Sequence, residues 1–186
     1  AICLHPEFQY VSVAIGDEVL VVAEDLLSSL ILEWDVTEYK VIGSCKGKDL
    51  ENLVCQHPFI DRESKVILGD HVTLEQGTGC VHTAPGHGQD DYIVGLKYGL
   101  EPYNPVDDGG IFKSDVEHFS GMFVRKANPE IIEKLKQDGS LIHHKDIKHS
   151  YPHCWRCHQP VIFRATNQWF ISMGKEGLRK KALEGI

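Results

Sequence analysis

Long apolar runs are missing from this sequence of 186 residues, and none could span a bilayer. The first residues, Ala1, Ile2 and Cys3, include neither an initiator methionine nor the basic stretch that opens a secretory signal peptide. We therefore expect a cytoplasmic chain that does not engage a membrane, and we interpret it as a piece of a longer protein. The hydrophobic content of 42% and the charged content of 25% are ordinary for a soluble globular protein.

A disulfide framework is also missing. Of the six cysteines, only Cys154 and Cys157 are closely spaced. A chain of this size buries enough apolar surface to fold without cross-links, so a reducing compartment is the better interpretation. The other four lie among apolar neighbours and are interpreted as small buried side chains: Cys3, Cys45, Cys55 and Cys80.

Positive charge is scarce, and the formal net charge of −8 argues against a general nucleic-acid-binding protein. The imbalance is local, because residues 1–140 carry 11 lysines and arginines against 24 acidic residues, whereas residues 141–186 carry 8 against 3. The last quarter is the natural place for phosphate contacts, although a solvated basic tail is the simpler interpretation. We expect one domain at 1–148 and a basic segment at 149–186.

Turn signals and apolar spacing predict the elements that are present. Residues 8–15 and 18–23 flank Gly16-Asp17, which predicts a β-hairpin. Residues 24–34 and 90–98 have the spacing of helices. Strands and helices mix without a regular βαβ rhythm. The predicted fold is therefore α+β, with a mostly antiparallel, β-barrel-like sheet and peripheral helices.

The last third of the chain is predicted to contain one clear helix. Asn128 is its expected N-cap, Pro129 its first helical residue, and Gly139 follows its end. Three apolar runs are typical of strands: 141–147, 161–165 and 168–173.

The stretch GTGCVHTAPGHGQDDY, residues 77–92, combines histidines and aspartates with many small residues and is the main candidate for a functional site. Its small residues join a strand end to a helix start and let the backbone approach a ligand closely. Asp90 and Asp91 fall near the helix N-terminus, where a carboxylate is electrostatically favoured and suits an ammonium group. Asp90 is the expected N-cap. His82 and His87 can position a water or a hydroxyl, although a structural histidine and an exposed one are simpler interpretations.

The same stretch resembles the signature of the editing domain inserted in isoleucyl-tRNA synthetases. The related valyl and leucyl enzymes are similar at the GTG and Pro-x-His portions and usually differ at residues 81–85 and 88–91. Further strings support the resemblance: LGDHVT at 68–73, HSYP at 149–152, CWR at 154–156 and FRATNQWF at 163–170. The similarity covers most of the chain, and the part after residue 149 resembles the return segment to the synthetase core.

This resemblance implies post-transfer editing, the hydrolysis of mischarged valyl-tRNA(Ile), as part of an ATP-dependent isoleucine–tRNA ligase. A synthetic pocket discriminates poorly against one missing methylene, worth about 1–3 kcal/mol, and double-sieve editing in this very family is the standard example. The implied partners are the acceptor end of tRNA(Ile) carrying valine and the rest of the synthetase chain. Editing itself is expected to need no cofactor.

By position in the motif, the resemblance also assigns roles to residues. Asp91 matches the aspartate that binds the substrate's α-amino group, and His82 matches the histidine that lines the pocket or positions the reacting end. These two are the expected catalytic residues. Thr83 and Ala84 are expected to line the same wall, and His87 is a further substrate-binding candidate. Without an evident nucleophile pair, we expect attack by water, assisted by a tRNA hydroxyl.

One part of the family's pattern has no counterpart in this sequence. The threonine-rich segment upstream of the motif forms much of the amino-acid pocket in the family, and Ala1 begins just after its expected place. The isolated chain is therefore expected to edit weakly.

The pair Cys154 and Cys157 has the spacing of a zinc knuckle but supplies only half of a tetrahedral site. His153 and His158 flank the pair, yet adjacent residues seldom bind the same ion. By resemblance the other half lies in the synthetase body, so structural zinc is expected only in the parent enzyme. A redox-active cysteine pair is the alternative.

Two other functions fit parts of the sequence. A non-catalytic module that positions tRNA, or links domains through zinc, would rest on the basic segment and the cysteine pair. The function of such a module would not change when Asp91 is replaced by alanine. The equivalent domain of a valyl-tRNA synthetase would edit threonine in place of valine.

Overall fold

Within residues 1–185, which this computed structural model describes, seven strands and four α-helices form. The strands are β1 (Ile2–Leu4), β2 (Gln9–Ile15), β3 (Glu18–Ala23), β4 (Lys40–Lys46), β5 (Val54–Gln56), β6 (Glu63–Leu68) and β7 (Val81–His82). The α-helices are α1 (Glu24–Glu33), α2 (Gln89–Lys97), α3 (Val124–Gln137) and α4 (Leu178–Glu184). Short 3₁₀ helices lie at Gly47–Leu50 and Lys175–Gly177.

The strands form two sheets, one with the order β5-β6-β1-β7 and the other with the order β3-β2-β4. β1 and β6 run parallel, with Ile2 opposite Val66, whereas the other pairs of these seven strands are antiparallel. The α+β class is therefore confirmed. Neither sheet closes on itself within the described residues, so the barrel-like arrangement is not confirmed.

The predicted hairpin supplies two strands of the three-stranded sheet, with β2 at its centre and β3 at one edge. β2 pairs with β3 along its length, and Gly16 takes a left-handed conformation (φ 58°), which glycine adopts without steric cost. α1 follows β3 directly and packs its leucines on the sheet. The main core lies between α1 and the two sheets: Leu4, Tyr10, Val11, Val13, Val22, Ala23, Leu26, Leu27, Leu30, Val66 and Leu68. Each fully buried large apolar side chain contributes about 1.5–3 kcal/mol.

A second, smaller core holds α2 in place. Cys3 on β1 and Ile67 on β6 are fully buried and pack with Val72 and with Val94 of α2. The helix ends as predicted, just before Gly99, whose φ of 66° terminates it. α2 is thereby fixed against the four-stranded sheet.

α3 starts about one turn earlier than the sequence predicts. The helix begins at Val124, and Pro129 lies inside it. The carbonyl of Phe123 accepts hydrogen bonds from two backbone N–H groups of the first turn, so a turn is complete before Asn128. The prediction of Asn128 as N-cap is therefore wrong. Because proline has no N–H, the carbonyl of Arg125 lacks its usual helical partner.

The strands predicted at 141–147, 161–165 and 168–173 do not form. Between residues 141 and 173, β-type pairing is limited to an isolated bridge between His153 and Pro160. Apolar composition does not by itself supply the partner strands that make a sheet stable. Of the helices in residues 1–185, none has both the length and the apolar character needed to cross a membrane.

Candidate functional site

Strand β7 carries His82 to the edge of the four-stranded sheet. His82 pairs with Ile2 of β1. The next residue extends the pairing, because Thr83 N donates to Ala1 O (2.9 Å) and Ala1 N donates to Thr83 O (3.1 Å). Residues 77–88, which include β7, are called the signature loop below. Its middle part is thus held by backbone pairing to an inner strand.

The beginning of the signature loop is tied to the three-stranded sheet. The Tyr10 hydroxyl donates to Gly79 O (2.8 Å), and Ala23 N donates to Thr78 O (2.8 Å). Gly79 has a φ of 75°, and a Cβ there would lie 2.6 Å from Ala23 Cβ, so glycine is required. Burial raises the pKa of Tyr10 to about 12. The hydroxyl therefore keeps the proton that it donates.

Asp91 lies in the first turn of α2, where the sequence places it. Its Oδ2 accepts a hydrogen bond from Ala84 N (3.0 Å), which joins the helix to the signature loop. The other oxygen, Oδ1, makes no hydrogen bond within residues 1–185. The N-cap of α2 is Gly88, and the exposed Asp90 caps nothing, so that prediction is wrong. One Asp91 oxygen is fixed and the other can receive a ligand.

His82 lies close enough to Asp91 for the two to interact electrostatically. The pKa of His82 is lowered, mainly because its ring loses hydration, and also by the positive charges of the Ala1 amino group and Arg62, whereas Asp91 opposes the shift. The residue keeps more than a third of its surface exposed. A histidine with a lowered pKa is neutral at pH 7, the form that accepts a proton or orients a water.

Two further residues interact electrostatically with His82, and the sequence does not predict that they lie there. Arg62 and His57 lie between β5 and β6, where His57 N donates to Arg62 O (2.9 Å). The pKa of His57 is lowered, mainly by burial and then by the charges of Arg62 and His82. The pairing of β6 with β1 brings this turn near the signature loop, which spacing along the chain does not reveal. The sequence offers a single indication that Arg62 has a special role, which is that residues 1–140 contain only two arginines.

The two residues after His82 differ in exposure. Thr83 exposes 1% of its surface, and its hydroxyl donates to Val81 O (3.3 Å). Ala84 is half-buried. Its N–H donates to Asp91, and its carbonyl accepts from His87 N (2.9 Å). Ala84 is therefore more accessible than Thr83, and its backbone links the loop to α2.

The end of the signature loop packs against a distant part of the chain. His87 Nδ1 lies 3.0 Å from Phe163 O, and the ring's Nε2 is buried with no hydrogen-bond partner among residues 1–185. Gly86 O accepts from Ala165 N (2.7 Å). A Cβ on Gly86 would lie 2.3 Å from Tyr103 O, so only glycine fits. The structure thus groups His82 and Asp91, and it directs His87 toward residue 163.

A cavity of about 530 Å³ lies between the signature loop and residues 163–170. Its walls include Pro85, Gln89 and Tyr92 on one side and Phe163 and Arg164 on the other. Within the described part of the chain, neither proposed catalytic residue lines this cavity. The cavity thus borders the end of the signature loop and the start of α2.

Cys154 and Cys157 form a tight turn at the surface. His158 N donates to Cys154 O (2.8 Å), and Cys154 N donates to Gln159 O (2.8 Å). The pKa of the Cys154 thiol is lowered because the backbone N–H groups of Cys157 and Arg156 donate to its sulfur. Such bonds suit a metal-bound thiolate. Throughout residues 1–185, no three or more His, Cys, Asp or Glu side chains converge on a metal position.

The fold is that of a domain already solved in another protein. The crystal structure of GlLeuRS-CP1 matches with a TM-score of 0.62 at 18% sequence identity, covering 79% of this chain and 78% of that one. No family model matches the chain. The architecture therefore defines the chain as a domain with a CP1-type fold.

Sequence similarity then indicates the family. Isoleucine–tRNA ligases match the whole chain: that of Syntrophotalea carbinolica at 56% identity, that of Desulfovibrio desulfuricans at 54% and that of Alkalilimnicola ehrlichii at 53%. The chain spans 20% of the length of each of these relatives. It therefore belongs to the isoleucine–tRNA ligase family, as a segment equal to about a fifth of a member. The resemblance recognised in the signature loop is confirmed.

Proposed function

We propose that this segment performs post-transfer editing within a full-length isoleucine–tRNA ligase, hydrolysing valyl-tRNA(Ile) to valine and free tRNA. The main support is the geometry of Asp91, whose Oδ2 is held by Ala84 N while Oδ1 makes no hydrogen bond within residues 1–185, beside a histidine with a lowered pKa. The CP1-type fold and the 56% identity to an isoleucine–tRNA ligase agree with it.

Asp91 is proposed to bind the α-ammonium group of the esterified amino acid. A carboxylate in the first turn of a helix is favoured by the helix dipole. The hydrogen bond from Ala84 fixes Oδ2, so Oδ1 is the atom that accepts from the ammonium. A hydrogen bond between charged groups contributes about 1.5–3 kcal/mol. Recognition of this group would fix the ester relative to the signature loop.

His82 is proposed to position the reacting end of the substrate. A water attacks the ester carbonyl, the bond between the carbonyl carbon and the ribose oxygen breaks, and the ribose oxygen receives a proton. A neutral imidazole at His82 orients the water or a ribose hydroxyl for this step. Ala84, which is the more accessible neighbour, is proposed to form part of the pocket wall, and Thr83 supports it from the interior.

The remaining partners follow from membership of the family and are also proposals. The ligase is proposed to act in the cytoplasm, to use ATP and to bind tRNA(Ile), with the basic segment 149–186 offering phosphate contacts. Cys154 and Cys157 supply two thiols in a turn whose N–H groups favour a thiolate. They fit half of a structural zinc site whose other ligands come from the rest of the ligase, and editing needs no cofactor.

Asp91→Asn in the full-length ligase tests the proposal, with Asp90→Asn as matched control. The asparagine keeps an oxygen that can accept from Ala84 N, so the variant removes the charge and preserves the loop. We expect kcat/KM for deacylation of valyl-tRNA(Ile) to fall roughly 10- to 150-fold, the loss of one charged hydrogen bond. The exposed Asp90 makes no cap, so its variant is expected to match the wild type.

Equal rates for the wild type and Asp91→Asn would contradict the proposed role of Asp91. A wild-type ligase that binds tRNA and hydrolyses no aminoacyl ester would favour the second candidate, a non-catalytic module that positions tRNA or links domains through zinc, based on the basic segment and the cysteine pair. If the wild-type ligase hydrolysed isoleucyl-tRNA as fast as valyl-tRNA, the proposed selectivity for the mischarged tRNA would be contradicted. Because relatives at 53–56% identity are isoleucine–tRNA ligases, the equivalent domain of a valyl enzyme is not proposed.

A further inference from the structure

The signature loop is crossed by a short part of the chain that lies far away in sequence. Residues 163–165, called the strap below, contact it by backbone atoms: Ala165 N donates to Gly86 O (2.7 Å), and Phe163 O lies 3.0 Å from His87 Nδ1. The strap is held from its other side, because Asn104 Nδ2 donates to Ala165 O (3.0 Å). The strap therefore lies between two loops and bonds to both.

The hydrogen bonds of the strap continue to the carboxylate of Asp91. Phe163 O contacts His87 Nδ1 at 3.0 Å, His87 N donates to Ala84 O at 2.9 Å, and Ala84 N donates to Asp91 Oδ2 at 3.0 Å. Each bond fixes the residue that makes the next one. This series of bonds connects the Asp91 carboxylate to a segment more than seventy residues further along the chain.

The chemistry of the first bond defines the state of the imidazole. A backbone carbonyl only accepts hydrogen bonds, so Nδ1 must carry the proton that is shared with Phe163 O. In the neutral ring Nε2 is then the nitrogen without a proton. Nε2 is buried, with no partner among residues 1–185. The ring atom through which His87 makes a hydrogen bond is therefore Nδ1, and that bond is to the strap.

We propose that His87 is a positioning residue for editing: through Nδ1 it ties the signature loop to the strap and so sets the place of Asp91. This role replaces the substrate contact expected from the sequence, and it rests on the proposed function. Arg164 strengthens the strap, since it pairs with Asp108 and donates to Val106 O (3.3 Å).

Two isosteric substitutions in the full-length ligase separate the ring nitrogens. In His87→Asn the side-chain amide nitrogen occupies the place of Nδ1, so the bond to Phe163 O is kept. In His87→Gln the amide extends to the place of Nε2, and the bond is lost. We expect kcat/KM for deacylation of valyl-tRNA(Ile) to fall ~2- to 12-fold in His87→Gln, as for loss of one hydrogen bond. His87→Asn should retain the wild-type kcat/KM.

Hydrogen exchange followed by mass spectrometry gives a readout that does not depend on activity. Peptides covering residues 84–91 should exchange faster in His87→Gln than in the wild type and at the wild-type rate in His87→Asn. An active Gln variant with an inactive Asn variant would overturn the proposal, because Nε2 would be the working atom. Unchanged exchange in both variants would also overturn it. If the wild type hydrolyses no valyl-tRNA, the proposed function fails, and the exchange pattern still tests the strap.

Discussion

Gly86 shows how closely the signature loop packs against its neighbours. A Cβ at this position would lie 2.3 Å from Tyr103 O and 3.1 Å from Tyr103 C, which are backbone atoms and cannot swing aside. Gly86→Ala is therefore expected to lower the free energy of unfolding by about 1–3 kcal/mol, the typical cost of overpacking. Urea unfolding of the 186-residue chain measures this change.

Gly43→Ala is the matched control for Gly86. Gly43 lies in β4, and a Cβ there would have no heavy atom within 4 Å. Alanine also restricts the unfolded chain, so this variant should be as stable as the wild type or slightly more stable. Equal stabilities for the two variants would mean that the contact between Gly86 and Tyr103 relaxes freely.

Single residues differ in how well the sequence predicts their place. Asp91 was expected in the first turn of α2 and is found there, because the glycine before the helix and the apolar spacing after it define the helix start. Its neighbour Asp90 was expected to cap that helix, and the backbone of Gly88 occupies the N-cap position instead. Arg62 was not expected, because its approach to His82 depends on which strands become neighbours. The catalytic and substrate roles remain predictions.

At the scale of elements, α3 offers a sharp test of its observed start. If the helix begins at Val124, then Pro129 interrupts its hydrogen bonds. Pro129→Ala should then raise the free energy of unfolding by about 1–2 kcal/mol, part of the roughly 3 kcal/mol cost of a proline inside a helix. Thermal unfolding followed by circular dichroism measures the change.

Asn128→Ala completes the comparison for α3. As an interior helical residue, Asn128 should be replaced by alanine with no loss of stability, because alanine is the better helix former. As an N-cap, its replacement would cost about 1 kcal/mol, and Pro129→Ala would bring no gain. A destabilised Asn128→Ala variant would therefore support a helix that starts at Pro129.

Elements stabilised by local signals are predicted well, and those that need distant partners are not. The hairpin β2–β3, α1 and the end of α2 follow from a turn glycine, an apolar stripe and a terminal glycine, all read within a few residues. The apolar runs at 161–165 and 168–173 resemble strands equally well. They form none in residues 1–185, and loop contacts such as those of the strap hold the first run instead.

At the scale of the whole molecule, the end of the chain is unusually exposed for its composition. Trp169, Phe170 and Ile171 expose 101%, 89% and 77% of their surfaces. Contiguous exposed apolar side chains are typical of an interaction surface. Because the chain spans a fifth of its ligase relatives, we expect the remainder of the ligase to cover these three residues.

Hydroxyl-radical footprinting read by mass spectrometry tests this expectation on residues 169–171. The oxidation rate of their peptide should be several-fold lower in the full-length ligase than in the isolated chain, because a covered side chain is inaccessible to the radical. Trp34 is the internal control, since it packs against the main core within the segment itself and should oxidise at the same rate in both proteins. Equal rates at Trp169 in the two proteins would show that the exposed segment faces solvent in the ligase as well. Its apolar side chains would then be free to contact a separate molecule.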